Sequence, residues 1–141
     1  MNYLLDTCVI SELVKPEPNG RVVGWLKTQA EMSLFLSSIT FGEIQKGISK
    51  LSAGRKQREL QSWLDRDLTE RFRNRILPVD ARAALMWGRI RAAAEKNGRT
   101  IPVIDGLIAA VGMANDLTVV TRNVGDMPDE GVEIFNPWGD G

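Results

Sequence analysis

The 141-residue sequence predicts an α/β fold: a three-layer α/β/α arrangement with a central, mostly parallel sheet and a helical hairpin at one edge. Three observations lead there. Short apolar runs alternate with amphipathic stretches, the βαβ pattern of a parallel sheet covered by helices. The opening run, Tyr3-Leu4-Leu5, shows no polar alternation, as a central strand buried on both faces does not. Two long amphipathic stretches around Ser52-Ala53-Gly54 read as the hairpin. No internal repeat, linker or low-complexity tract interrupts the pattern, so residues 1–141 are expected to form a single domain.

The opening strand stops on Asp6, with Thr7 directly behind it. Ligands in open α/β sheets bind at the carboxyl ends of strands, so Asp6 stands where chemistry is expected, and Thr7 can hydrogen-bond whatever Asp6 holds. An Asp in this place is also an ordinary N-cap. Val9, Ile10 and Leu13 recur at helical spacing until Lys15-Pro16-Glu17-Pro18-Asn19-Gly20, a strong turn signal. A helix from about Arg21 carries Val22, Val23, Trp25, Leu26 and Ala30, and Leu34 to Ile39 reads as the second strand. Thr40 is the expected N-cap of the next helix, with Glu43 at the Ser/Thr-x-x-Glu capping-box spacing. That helix places Phe41, Ile44, Ile48 and Leu51 on one stripe. After the break, Arg55 to about Phe72 forms a strongly charged helix with Leu60, Trp63, Leu64 and Leu68 inward.

Arg75 to Val79 is a short extended segment. Asp80 caps a helix from Ala81 to about Lys96, closed by Asn97-Gly98. Asp105 opens a helix, Leu107 to about Asn115, so uniformly small and apolar that it must be buried. Leu117 to Thr121 is the clearest strand, Arg122 to Pro128 a polar loop, and Val132 to Phe135 the last strand.

Composition narrows the chemistry. Apolar content of 43% with 26% charged residues is that of a soluble globular protein. Eighteen basic residues balance eighteen acidic ones, which speaks against gripping long duplexes through many phosphates. One cysteine, Cys8, excludes intrachain disulfides and cysteine-rich zinc sites. The absence of histidine excludes Ser-His and Cys-His nucleophiles, imidazole acid–base work and the usual zinc or copper ligands. Catalysis must come from carboxylates, hydroxyls, Lys or Arg. No apolar run reaches the roughly eighteen residues of a membrane span, and the chain opens directly on a strand. No membrane partner is therefore expected, and the cytoplasm is the expected compartment.

Four places put a carboxylate or its amide analogue at a strand end or helix start: Asp6, Glu43, Asp105, and Asn123 or Asp126. In a parallel sheet all strand C-termini share one edge, so these groups can converge although distant in sequence. Converging carboxylates repel and raise one another's pKa unless a cation sits among them. An oxygen-only ligand set selects a hard ion, Mg²⁺ or Mn²⁺, which can activate water and clamp a phosphate. The expected chemistry is metal-assisted phosphodiester hydrolysis. Each residue has a plainer alternative: Glu43 as a capping-box member, Asp105 as an N-cap, Asn123 and Asp126 as turn residues. An unpaired carboxylate beside an all-apolar helix is costly, which favours a functional Asp105.

With Leu4-Leu5-Asp6-Thr7-Cys8-Val9-Ile10-Ser11-Glu12, Ser38-Ile39-Thr40-Phe41-Gly42-Glu43-Ile44, Asp105-Gly106-Leu107-Ile108-Ala109-Ala110 and Val120-Thr121-Arg122-Asn123, the sequence resembles the PIN-domain ribonucleases. It is most similar to the VapC toxins and their FitB-like branch, down to the ending Val132-Glu133-Ile134-Phe135-Asn136-Pro137-Trp138. The resemblance implies a metal-dependent endoribonuclease that is the toxin of a type II toxin–antitoxin pair. The family's acids fall on Asp6, Glu43 and Asp105, the expected metal ligands. Its fourth acidic position falls on Asn123, an uncharged amide, with Asp126 able to compensate from the same loop. Cys8 stands where the family usually has Asn. The resemblance further implies RNA as substrate, a homodimer, a VapB-like antitoxin assembling a heterotetramer or larger complex, and operator DNA held through the antitoxin.

Lys46, Lys50, Arg55, Lys56 and Arg58 read first as a solvated face, with steering of RNA phosphates toward the acids as the alternative, and Trp25, Trp63 and Trp87 read as core or partner-groove residues. Arg122 has two readings, a contact for the scissile phosphate or an ion pair with Asp126. Three rival readings compete with the nuclease. A receiver-like signalling domain needs an acidic pair near the first strand and a late Lys. An aspartyl-phosphate phosphatase needs an Asp where Cys8 stands. A catalytically impaired PIN module acting as a binding partner draws only on Asn123.

Overall fold

The computed structural model describes residues 1–139. Five parallel strands form its sheet: β1 (Tyr3–Leu5), β2 (Leu34–Ser37), β3 (Ile76–Leu77), β4 (Thr118–Val120) and β5 (Ile134–Phe135), in the order β3-β2-β1-β4-β5. β1 is thus central, in register with β2 through Tyr3 opposite Leu34 and with β4 through Leu5 opposite Val120. Successive side chains of a strand point to opposite faces, and here both faces are covered. Leu5 and Val120 pack into one core with Val9, Ile10, Val22, Leu26, Leu68 and Phe72. Leu4 and Val119 pack into a second core with Ile90, Ile101, Ile108 and Val111. This double burial is why the strands read as unbroken apolar runs, and it makes the three layers.

The first core is covered by α1 (Thr7–Leu13), α2 (Gly20–Thr28) and the hairpin of α3 (Ser38–Ser49) with α4 (Arg55–Ser62). The second is covered by α6 (Ala81–Lys96) and α7 (Val103–Ala114), between α4 and α6 lying the one-turn α5 (Thr69–Arg71). Gly112 of α7 lies so close to β4 that a Cβ there would stand 2.7 Å from Val119 Cγ2. Among the described residues no helix is long and apolar enough to cross a membrane.

Several boundaries differ from the sequence expectation for physical reasons. The second strand ends at Ser37, because the Ser37 hydroxyl accepts from Ile39 N and starts α3 there. Thr40 is therefore not an N-cap, and Glu43 closes no capping box; Thr40 is fully buried inside the helix. α7 begins at Val103, so Asp105 lies within its first turn rather than before it. Pro102 holds the N-cap place, where its missing N–H costs nothing. The charged helix after Gly54 is not regular: Trp63–Leu68 widens into a π-helical stretch, with the Thr69 hydroxyl donating to Leu64 O. Periodicity of apolar residues does not reveal such a widening. The helix Ala81–Lys96 matches the expectation, with Asp80 accepting from Ala83 N and Gly98 turning the chain at φ +68°.

Candidate active site

β1, β2 and β4 run parallel, so their C-terminal ends lie along one edge. Asp6 follows β1, α3 follows β2, and Thr121 with the loop of Asn123 follows β4. Asp6 N donates to Val120 O at 2.9 Å, which fixes the two strand ends side by side.

Asp6 is the most enclosed of the acids, 3% exposed. Its Oδ1 accepts from Thr7 N at 2.7 Å, capping α1, and its Oδ2 accepts from the Thr121 hydroxyl at 2.7 Å. The N-cap reading and the site reading of Asp6 are therefore compatible. Burial pushes its carboxyl above the usual carboxylate range, against the lowering pull of the bonds from Thr121, Thr7 and Cys8. Thr7 Oγ1 donates to Glu43 Oε1 and stands 3.1 Å from Thr40 Oγ1. Glu43, half-buried on α3, is in this way tied to the residue beside Asp6.

Asp105, half-buried at the start of α7, has no direct bond to these acids but feels them. Burial first, then the charges of Asp6, Asp126 and Glu43, push its carboxyl up to about 6. Among the described residues, none of Asp6, Glu43, Asp105 and Asp126 is engaged in an ion pair. Four acids thus face this edge, and among the described residues none of them is paired with a basic side chain.

Asn123 and Asp126 are both exposed. Asn123 N donates to Thr121 Oγ1 at 2.9 Å, and Val124–Asp126 makes a 3₁₀ turn that brings the Asp126 charge to bear on Asp105. Arg122 does not pair with Asp126; its guanidinium lies over the Trp138 ring, 5.5 Å from the centroid. Cys8 Sγ lies 3.9 Å from Asp6 Oδ2 and accepts from Arg122 N at 3.5 Å, so the thiol bridges the two strand ends. Burial, then the Asp6 charge, pushes the thiol pKa up, which keeps it protonated and a poor ligand.

Two positioning residues escape a sequence reading. Thr121, wholly buried, serves Asp6 with its proton and Asn123 with its oxygen. Its only signal is a polar residue ending the clearest strand. Thr40 gives a misleading signal, because its capping-box spacing is real and its cap is not.

Among the described residues no three His, Cys, Asp or Glu side chains form a group that could by itself hold a metal ion. The donor set nevertheless fits one kind of ion. Its donors are oxygens, its charge is unbalanced, and Mg²⁺ is commonly held by one or two carboxylates with water completing the shell.

A family model described as PIN domain matches residues 3–125. The chain is 41% identical to Toxin FitB of Neisseria gonorrhoeae over 137 residues, 97% of this chain and 99% of that one. It is 36% identical to VapC ribonuclease Y4jK of Sinorhizobium fredii, with 96% of each covered. A solved structure of FitAB bound to an IR36 DNA fragment superposes with a TM-score of 0.91 at 39% identity, over 96% of this chain and 95% of that one.

Proposed function

The chain belongs to the PIN-domain family, and we propose that it is a metal-dependent endoribonuclease, the toxin of a type II toxin–antitoxin pair. Its ribonuclease and toxin relatives support the class of activity. The observation that carries the chemistry is the gathering of Asp6, Glu43, Asp105 and Asp126 at one sheet edge. Thr7 ties Asp6 to Glu43, Thr121 holds Asp6, and among the described residues the four acids have no ion-pair partners. Burial and this crowding raise the Asp105 carboxyl. Such a site gains most from a divalent ion.

Asp6 and Asp105 would be the principal ligands of the ion, with Glu43 assisting directly or through water. Mg²⁺ or Mn²⁺ bound there would supply water activation and charge neutralisation at the phosphate. The chain's own residues prepare the rest. Thr7 N and Thr121 fix the rotamer of Asp6, and the Thr7 hydroxyl fixes Glu43. Fixed donors save reorganisation in the transition state. Asp126 supplies the fourth negative charge that Asn123 lacks. Among the described residues Arg122 is exposed and pairs with no carboxylate, so it offers its charge to the scissile phosphate, while Thr7 lines the approach.

The partners follow from the family and the charge. The toxin works in the cytoplasm as a homodimer, and a VapB-like antitoxin covers it in a heterotetramer or larger complex. A chain of zero net charge leaves operator DNA to the antitoxin.

The test is cleavage of labelled tRNA and mRNA with Mg²⁺ or Mn²⁺, beside Asp6→Asn and Asp105→Asn. Cleavage is expected to vanish in both variants and on adding EDTA. Activity surviving either would overturn the mechanism. Growth arrest on expression, relieved by co-expressed antitoxin, tests the toxin role independently.

A further inference from the structure

We infer that Arg99 is a positioning residue, whose guanidinium sets where Asp126 stands relative to Asp105. Arg99 Nη2 donates to Gly125 O and to Met127 O, both at 2.6 Å, so the two bonds fall on the peptide carbonyls either side of Asp126. Charged donors on carbonyls make short, strong bonds; the buried Met127 shelters the second of these from water, while the bond to Gly125 is exposed. Arg99 Nη1 donates to Asp129 at 2.6 Å, but that carboxylate is 73% exposed and adds little.

Among the described residues Arg99 makes no ion pair with the Asp126 carboxylate; it holds the backbone that carries it. The loop's other end is tied by Asn123 N to Thr121. Arg99 itself sits in the connection from α6 to α7, its own N bonded to Ala94 O at 2.9 Å after the Gly98 turn. One side chain therefore links the segment that leads into Asp105 to the loop that presents Asp126. The inference rests on the ribonuclease reading of the site, and extends it to a residue outside the acidic cluster.

The test compares Arg99→Ala, Arg99→Lys and Asp129→Asn, free of antitoxin, by three measurements: Mn²⁺ binding isotherms, hydrogen exchange over residues 122–131, and kcat and KM on RNA. Arg99→Ala is expected to weaken Mn²⁺ binding about tenfold, the usual effect of losing a support behind a metal site. It should speed exchange in the loop and lower kcat with KM unchanged. Arg99→Lys, which keeps the charge but lacks the planar fork, should fall between, and it carries the comparison if Arg99→Ala does not fold. Asp129→Asn should match the parent chain. In Arg99→Ala/Asp126→Asn the losses should not exceed those of Asp126→Asn alone.

Unchanged Mn²⁺ binding and kcat in a folded Arg99 variant, or losses that multiply in the double variant, overturn the inference. A parent chain that binds Mn²⁺ but cleaves no RNA overturns the ribonuclease reading and leaves the isotherms to decide Arg99. A parent chain that binds no Mn²⁺ overturns both.

Discussion

The Thr121 hydroxyl donates to Asp6 Oδ2 at 2.7 Å, joining the ends of two neighbouring strands that lie 115 positions apart in sequence. The same oxygen accepts from Asn123 N, so one buried side chain orients the first acid and the start of the last loop together. The site's precision depends on this shared hydroxyl as much as on the acids.

Thr121→Val keeps the shape and removes both bonds. It leaves a buried carboxylate short of a partner, which is expected to cost about 1–3 kcal/mol of stability and to lower kcat. Thr121→Ser should restore both. Urea denaturation and RNA cleavage check this, and a valine variant with parental activity would count against it.

Asp105 predicts a pH dependence in the cation-free chain. Its folded carboxyl lies at about 6, above an unfolded value of about 4, so the folded state binds this proton more tightly. The resulting stabilisation is complete below the unfolded value and is lost as pH rises through about 6. At full weight the difference is about 3 kcal/mol, reduced to about 1 because the side chain keeps contact with water. In EDTA, the parent chain should lose that stability between acid and neutral pH, and Asp105→Asn should not. Mg²⁺ should raise the parent's Tm more above the transition than below it. Parallel pH profiles for the two chains would sink the prediction.

Asp126, not Asn123, contributes to the field at Asp105. Asp126→Asn should therefore lower cleavage about 10- to 100-fold, the range for groups supporting a metal site. Asn123→Ala should have a much smaller effect, since Thr121 holds its backbone rather than its side chain. Single-turnover rates at saturating Mg²⁺ decide between them, and a reversed order would move the fourth position to the amide.

Gly112→Ala is a test of the packing that seats α7. Its Cβ would meet Val119 Cγ2 at 2.7 Å and Leu117 O at 3.4 Å, with backbone on one side and a β-branched side chain on the other. Overpacking of this kind is expected to cost about 1–3 kcal/mol, read as a lower Tm. A melt unchanged from the parent would show that the two elements can part.

The sequence by itself determined the layers and the candidate acids. Unbroken apolar runs at Leu4-Leu5 and Val119-Val120 require two covered faces, and the lack of histidine leaves oxygen donors to do the chemistry. Those features are local, or are counts, and do not depend on how distant segments meet. The tertiary structure decided what local pattern cannot carry. Thr40 has the spacing of a cap, yet Ser37 takes the role because β2 stops two residues earlier than its apolar character suggests. Asp126 and Arg99 acquire their places from chain segments brought together by the α6–α7 turn and the end of β4. The roles of Thr121 and Arg99 are fixed by bonds to distant residues, and a hydrogen bond between remote segments leaves no periodicity in the sequence to read.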